Sequence, residues 1–286
     1  MVKIIADSTC DLSQDIIDKY DITIIPLSII MGDKSYYDGT EITPDEIYQW
    51  ADANRTTPKT AAVSAKMVLD VISRFKDREI IFFGISSKMS STCDVVRCAA
   101  VEAGFDNVKV VDSRNLSTGI GIQIVRACEM ARAGRTQNEI IEAVSGGRDS
   151  VCASFVVDTL TYLARGGRCS QVTALIGNML GLKPEIVVKD GEMHVGKKYR
   201  GTPSKVILKY VKDMEEKLVN ADPGLVFITH SGCKPEIVSK VREYLTGLGH
   251  FTNIAETRAG GVISSHCGPG TLGVLFYQEE KNEQTC

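Results

Sequence analysis

The stretch Val2-Lys3-Ile4-Ile5-Ala6-Asp7-Ser8-Thr9-Cys10-Asp11 decides the fold class of the chain. It begins as a short apolar run rich in β-branched residues, typical of a strand, and ends in acidic and hydroxyl-bearing residues, typical of a turn. A segment of helical period, residues 13–20, follows it. The same order of strand, polar turn and helix recurs along the chain, which predicts βαβ units and a largely parallel sheet.

The predicted elements fill most of the chain. Strands are predicted at residues 2–6, 22–26, 79–85, 108–111, 153–157, 224–228 and 271–277. Helices are predicted at residues 13–20, 43–53, 64–75, 90–103, 117–133, 136–145, 203–219 and 235–248. The pairs Thr43 with Glu46 and Thr136 with Glu139 have the spacing of a capping box, which marks where two of these helices begin.

One segment departs from the alternation. Residues 184–188 and 192–197 read as two short strands joined by the turn Lys189-Asp190-Gly191, which predicts a hairpin instead of a helical crossover. The sheet of the second half is therefore predicted to be mixed.

The length and one glycine-rich break predict two domains. The chain has 286 residues, and domains usually hold roughly 100 to 200. A predicted helix ends in Gly146-Gly147-Arg148-Asp149 just before a new strand, which favours a boundary there. We predict an α/β protein of two α/β domains: residues 1–150 with a largely parallel sheet flanked by helices, and residues 151–286 with a mixed sheet and helices.

Composition excludes several classes of protein. The 33 Lys and Arg residues are balanced by 36 Asp and Glu, so no excess of positive charge marks a general binder of nucleic acid or anionic membranes. No apolar run approaches the roughly 20 residues of a membrane-spanning helix. Nine cysteines without a CxxC pair, and no cationic leader after Met1, predict a soluble cytoplasmic protein with reduced thiols.

Hydroxyl-bearing residues recur in five segments, four of which directly follow predicted strands. They lie in the segments 7–9, 86–92, 112–119, 229–231 and 264–267. Ligands of open α/β sheets bind outside the carboxyl ends of the strands, where helix N-termini offer free N–H groups to anions. Hydroxyls gathered there favour a site for a carboxylate or phosphate, although each cluster alone is also typical of helix caps and turns.

Basic residues in two glycine-flanked segments supply the opposite charge. These residues are Arg165, Arg168, Lys197, Lys198 and Arg200. Arginine in a glycine-rich loop can present its planar guanidinium to an acid or phosphate, and a solvated loop charge is the alternative.

His266 is the most suggestive single residue. It lies beside hydroxyls and before the turn Gly268-Pro269-Gly270, where a histidine can bind an anion, transfer a proton or accept a phosphoryl group. His194 and His250 are expected only to satisfy backbone carbonyls. Cys10 is expected to be a partly buried thiol and not a nucleophile.

Several motifs fail on their context. Residues 268–273 spell G-x-G-x-x-G, but a strand follows them where a dinucleotide site needs a helix, and Pro269 lacks an N–H. No G-x-S-x-G or P-loop pattern is present, and no second pair of cysteines or histidines completes a zinc site. We therefore predict no cofactor, no metal and no complete catalytic set of residues.

The ordered set of short segments resembles the DegV family of bacterial fatty-acid-binding proteins, whose members include the carrier subunits of fatty acid kinase. The matching segments are Asp7-Ser8-Thr9-Cys10-Asp11-Leu12, residues 85–92, residues 111–117, Asp158 to Arg168, Leu182-Lys183-Pro184, Arg200-Gly201 and His266-Cys267-Gly268-Pro269-Gly270. Spread in order from residue 7 to residue 270, they cover nearly the whole chain.

The resemblance implies a lipid carrier and not an enzyme. A long-chain fatty acid would lie in a tunnel between the two domains, with its carboxylate held by Thr60, Ser90 and His266. Arg168 and Arg200 match basic residues near the head group and the kinase-docking face. A separate fatty acid kinase would phosphorylate the bound carboxylate to an acyl phosphate, and a transient contact with a membrane surface is compatible with this role.

Two segments differ from the family pattern. Residues 59–64 keep the first Thr and last Ser of the usual Thr-Ser-Gln-Pro-Ser stretch but have Ala61-Ala62-Val63 between them, and Ser91 stands where the family has glycine. We therefore expect the geometry of the head-group site to differ in this chain.

Two other hypotheses explain the same polar residues. A hydrolase or acyl transferase would use a loop serine, with His266 as base and Asp7 or Asp112 orienting it. A phosphocarrier would accept a phosphoryl group on His266.

Overall fold

A computed structural model of the chain describes residues 2–170 and 181–278. Its helices are α1 Gln14–Tyr20, α2 Pro44–Asn54, α3 Ala65–Ile72, α4 Thr92–Glu102, α5 Thr118–Arg132, α6 Gln137–Gly147, α7 Thr161–Gly166, α8 Pro203–Lys212, α9 Glu215–Leu218, α10 Pro235–Gly247 and α11 Gly261–Cys267. Its strands are β1 Lys3–Asp7, β2 Thr23–Ile25, β3 Ser28–Met31, β4 Lys34–Tyr37, β5 Lys59–Ala61, β6 Ile80–Gly84, β7 Val108–Asp112, β8 Val151–Val156, β9 Leu182–Lys189, β10 Glu192–Arg200, β11 Ala221–His230, β12 Ile254–Arg258 and β13 Leu272–Gln278.

The first sheet is parallel throughout, as predicted. Its order is β2-β1-β6-β7, and each neighbouring pair runs parallel. Alternate residues of β1 enter different cores, because Ile4 and Ala6 pack on one face and Ile5 packs on the other. Burial on both faces explains why this strand reads as a nearly continuous apolar run in the sequence.

The second large sheet is mixed, which also confirms the prediction. Its order is β10-β9-β8-β13-β11-β12, in which β11 and β12 are parallel and the other neighbours are antiparallel. The predicted hairpin is β9 and β10, and its turn has positive φ at Asp190 (53°) and Gly191 (79°). Two left-handed residues match the twist of the strands they join.

Helix α5 lies between the two large sheets. It contacts β1 and β6 of the first sheet and β8, β11 and β13 of the second, and most of its side chains are buried. The two sheets therefore meet along this helix. The division into domains 1–150 and 151–286 stays a prediction, although the strands of the second sheet all come from the later residues.

Several parts of the fold differ from the prediction, among them β12 and α7, which were not predicted. The small antiparallel sheet β4-β3-β5 was not predicted either. Its strands have three or four residues, and β4 and β5 have several exposed side chains, so no apolar run marks those two strands. The helix predicted at 203–219 is interrupted between α8 and α9.

A further difference concerns residues 261–267, which form α11 where no helix was predicted. Ser265 donates a hydrogen bond to the carbonyl of Gly261 (2.7 Å), so its hydroxyl is satisfied within the helix. Polar residues that bond to their own backbone carry no helical hydrophobic period, which explains why the helix was missed.

The capping boxes at α2 and α6 are present as predicted, with Thr43 and Glu46 at one and Thr136 and Glu139 at the other. Among the described residues, no helix has both the length and the apolar character needed to cross a membrane.

Candidate functional site

A cavity of about 270 Å³ lies where the end of the first sheet, the small sheet and α11 meet. It is lined by Leu27, Thr60, Ala61, Ala62, Ile85, Met89, Ser90, Ser91, Leu116, Arg168, Met193, Val262, Ile263, His266 and Cys267. Four of the five residues that the resemblance implied are among them.

These four residues come from separate parts of the chain. Thr60 lies on β5, Ser90 follows β6, Arg168 follows α7, and His266 lies in the last turn of α11. The hydroxyl of Thr60 is 2.8 Å from Nε2 of His266, although 206 residues separate them. The fold therefore assembles one polar end of the cavity from distant segments.

Arg200 is not part of this group. It is exposed at the end of β10, which is an edge strand of the mixed sheet, and it does not line the cavity. Arg165, Lys197 and Lys198 do not line the cavity either.

His266 is held as a neutral imidazole. Burial, and next the positive charge of Arg168, lower the pKa of His266 to about 4. Nδ1 is buried and has no hydrogen-bond partner among the described residues, while Nε2 meets Thr60. The guanidinium of Arg168 is itself held by the carbonyl of Gly166 at 2.7 Å. The polar end thus offers hydroxyls, a neutral ring and one cation, which together suit a single anionic group.

Gly166 allows the histidine ring to lie where it does. A Cβ atom at residue 166 would be 2.3 Å from Nδ1 of His266. Real carbon atoms do not approach that closely, so the contact between α7 and α11 depends on glycine at this position.

The rest of the cavity wall is mainly apolar, and three of its residues also line a smaller chamber. Leu116, Ile263 and Cys267 line both spaces. The chamber measures about 20 Å³, and Phe155 and Leu275 of the mixed sheet form part of its wall. The three shared residues therefore stand between the cavity and the apolar seam beyond it.

Most of the hydroxyl clusters found in the sequence do not face the cavity. Ser86 donates to the carbonyl of Gly191 (2.7 Å), Ser117 donates to Asp11 (2.5 Å), and Ser231 donates to the carbonyl of Gly268 (2.5 Å). These groups hold turns and helix ends together, which fits the alternative of helix caps and turns that the sequence left open. Among residues 2–170 and 181–278, Thr60, Ser90 and Ser91 bring hydroxyls to the cavity.

The described residues do not form a Ser-His-Asp arrangement at this site. The hydroxyl of Ser90 pairs with that of Thr92 (3.0 Å), and His266 pairs with Thr60. Of the two proposed orienting carboxylates, Asp7 accepts from the N–H of Ile85 (2.9 Å) and Asp112 accepts from Ser87 (2.5 Å). The mechanism requires a carboxylate that accepts a hydrogen bond from Nδ1 of the base. Among the described residues, Nδ1 of His266 has no such partner.

Cys10 was expected to be partly buried, but it is fully buried at 1% exposure, and burial raises the pKa of its thiol. Two other predictions are confirmed. His250 bonds the carbonyl of Ala221 at 2.8 Å. The G-x-G-x-x-G segment is followed by β13 and not by a helix.

The described residues contain no cluster of three or more Cys, His, Asp or Glu that could hold a metal ion. Another cavity, of about 290 Å³, is lined mainly by residues of α1, α5 and β11, and none of the predicted site residues lines it.

The lowered pKa of His266 predicts a pH dependence of stability. The ordinary pKa is 6.5, so as the pH falls the unfolded chain takes up this proton before the folded chain does. The free energy of unfolding contributed by this residue should therefore be present above pH 6.5 and be lost as the pH falls toward 4. Urea unfolding of wild type and His266→Gln from pH 7 to pH 4.5 measures it, because their difference cancels the titration of the carboxylates. A difference that stays constant over this range contradicts the prediction.

The comparisons with known proteins agree on one family. The family described as "Uncharacterised protein, DegV family" matches residues 1–279. A DegV domain-containing protein of Clostridium perfringens is 34% identical over 283 residues, which cover 98% of this chain and 99% of that protein.

Solved structures of similar fold include two fatty-acid-binding proteins. A DegV family protein from Thermus thermophilus, described by its fatty acid binding, has a TM-score of 0.89 at 28% identity and covers 97% of this chain and 99% of its own. A stearic-acid-binding protein from Eubacterium ventriosum has a TM-score of 0.84 at 26% identity, with coverage of 97% and 98%.

Proposed function

The chain belongs to the DegV family, and on that premise we propose that it binds a long-chain fatty acid. The carboxylate lies against Thr60, Ser90 and His266, and the acyl chain fills the apolar part of the cavity. The observation that carries the proposal is the cavity itself, which is polar at one end and apolar elsewhere. A molecule with one anionic head and a long apolar tail matches both ends.

The acyl tail supplies most of the affinity in this proposal. Each buried CH2 contributes about 0.8 kcal/mol. Met89, Leu116 and Ile263 line the path from the head group toward the seam between the two large sheets. The tail passes these residues and enters the chamber beside Phe155 and Leu275.

The departures from the family pattern fall on the head-group end. Ala61, Ala62 and Ser91 all line the cavity, so they shape the surroundings of the carboxylate. Ser91 has a φ of -80°, which any residue adopts, so the backbone there does not require glycine. A Ser-for-Gly change at this position therefore alters space and hydrogen bonding, not the path of the chain.

The open polar end suits presentation of the carboxylate to another protein. Ala61, Ser91 and Arg168 line the cavity and are also exposed, so this end reaches the surface. In our proposal a separate fatty acid kinase phosphorylates the bound acid, with Arg168 beside the head group and Arg200 in the docking face. The chain then acts as a cytoplasmic carrier without a nucleotide site of its own.

Mass spectrometry of lipid extracted from the natively purified protein tests the binding step. We expect one long-chain fatty acid per chain, and radioactive palmitate should exchange into the protein after delipidation. Absence of an acyl chain together with failure to bind added palmitate would show that the protein is not a carrier of this kind.

A matched pair of variants tests the division of roles. Ser90→Ala removes a hydroxyl from the head group and is expected to weaken fatty-acid binding by about 1 to 2 kcal/mol. Arg200→Ala removes an exposed charge outside the cavity, so it should leave binding unchanged and lower the rate of phosphorylation by the kinase. Displacement of a fluorescent fatty acid measures the first effect, and transfer of labelled phosphate to lipid measures the second. Equal loss of binding in both variants would refute this division.

A further inference from the structure

Helix α11 forms one wall of the cavity but has no cap of its own. It contributes Val262, Ile263, His266 and Cys267 to the lining. Its N-cap residue is Gly260, which has no side chain to accept the first N–H groups of the helix. Free N–H groups at a buried helix start need acceptors from elsewhere in the structure.

Two buried carboxylates from distant loops supply these acceptors. Oδ1 of Asp11 accepts the N–H of Gly260 at 2.8 Å, and Oδ1 of Asp38 accepts the N–H of Gly261 at 2.7 Å. The residues are separated from α11 by 249 and 223 positions in the chain. The caps therefore tie α11 to the loops that follow β1 and β4.

Both carboxylates are held in place by hydroxyls. Ser117, which precedes α5, donates to Oδ2 of Asp11 at 2.5 Å, and Ser8 donates to Oδ2 of Asp38 at 2.8 Å. Asp11 also has a left-handed backbone, with φ at 49°. That conformation is uncommon for a residue other than glycine, and surrounding contacts must maintain it.

These carboxylates are costly to bury, which indicates that their position matters. Asp11 is 5% exposed and Asp38 is 3% exposed, and neither has a Lys or Arg partner in the described part of the chain. Burial raises the pKa of Asp11 to about 8 and also raises that of Asp38. Each carboxyl group loses its hydration on burial, and hydrogen bonds from the start of α11 and from Ser8 or Ser117 replace it.

Close packing fixes how deeply the start of α11 is inserted. A Cβ atom at residue 261 would be 2.6 Å from the side chain of Ile29 and 2.8 Å from that of Ile47. The helix start is therefore in tight contact with the small sheet and α2, next to the carboxylates that accept its N–H groups. Its other end carries His266, 2.8 Å from Thr60.

We propose that Asp11 and Asp38 are positioning residues of the cavity: they hold α11 in the rotation and depth at which His266 meets Thr60. The expected loss of affinity rests on the proposed function, since a displaced His266 would no longer complete the head-group end of the cavity. It gives a role to the Asp7-Ser8-Thr9-Cys10-Asp11 segment, which contributes no residue to the cavity lining.

Two measurements on Asp11→Ala and Asp38→Ala test this role. Displacement of cis-parinaric acid gives the affinity, and NMR of protein with 15N-labelled histidine reports the hydrogen bond at Nε2 of His266. We expect the Kd to rise about tenfold in both variants, as for loss of a strong helix cap, and the His266 resonances to shift. Asp38→Asn keeps one acceptor oxygen and should raise the Kd only about threefold.

The control is Glu185→Gln, which neutralises another buried carboxylate, 8% exposed, that accepts an N–H of β10 and does not touch α11. It should leave the Kd and the His266 resonances as in wild type. Wild-type values for both measurements in the alanine variants would overturn the proposal, as would equal changes in Glu185→Gln. If an alanine variant does not fold, Asp11→Asn and Asp38→Asn decide by the same criteria. Should wild type fail to bind cis-parinaric acid, the proposed function fails, and the His266 resonances still decide the positioning role.

Discussion

Replacement of Ile263 by tryptophan is expected to abolish binding of long-chain acids while sparing short ones. Ile263 lies on α11 and lines both the cavity and the chamber behind it. An indole at this position fills the passage and excludes the distal part of the tail. Each methylene that the indole excludes costs about 0.8 kcal/mol, which raises the Kd for palmitate roughly fourfold per methylene.

Octanoate serves as the internal control for this variant, since a short chain does not reach the passage. Retention of octanoate binding shows that the head-group end and the fold are intact. Ile263→Val, which keeps the passage open, should bind palmitate nearly as wild type does. Undiminished palmitate binding in the tryptophan variant would place the tail elsewhere in the molecule.

The second large effect is expected from one added methyl group, in Gly166→Ala. The new Cβ would be 2.3 Å from Nδ1 of His266, so the ring must move away from Thr60. Overpacking of this kind costs about 1 to 3 kcal/mol, and the moved ring leaves the head-group end incomplete. We expect the Kd for palmitate to rise by about a hundredfold and the thermal midpoint to fall.

Gly146→Ala is the matched control, because it adds the same methyl group inside α6, where no atom beyond the neighbouring residues and the helix's own backbone lies within 4 Å of the new Cβ. Alanine is the better helix former, so this variant should be neutral or more stable by up to about 1 kcal/mol. Normal binding in Gly166→Ala would mean that the position of His266 does not matter to the ligand.

The sequence was informative where burial leaves a local signature. Residues 2–6 predicted a strand because both faces of β1 are buried, and the observed strand is Lys3–Asp7. The hairpin was predicted because Asp190-Gly191 is a turn with its own backbone requirement. Buried strands and tight turns depend on residues that are neighbours in the chain, so the periodicity and the turn residues of the sequence indicate them.

The site residues were predicted from the family resemblance and not from the composition of the chain. Thr60, Ser90, Arg168 and His266 match family motifs, and the fold places them in one cavity. The resemblance placed Arg200 near the head group and the kinase-docking face, and the structure has it on an edge strand outside the cavity. A motif gives the residue type at a position and not its distance from another motif.

The sequence by itself thus determined the α/β class, the parallel and mixed sheets and the family, because strands, turns and caps depend on local order along the chain. Only the tertiary structure decided that His266 lies on a helix, that this helix is capped by Asp11 and Asp38, and that Gly166 makes room for the ring. The reason is physical: those contacts join residues between 100 and 249 positions apart. Their geometry arises only when separate segments pack against one another.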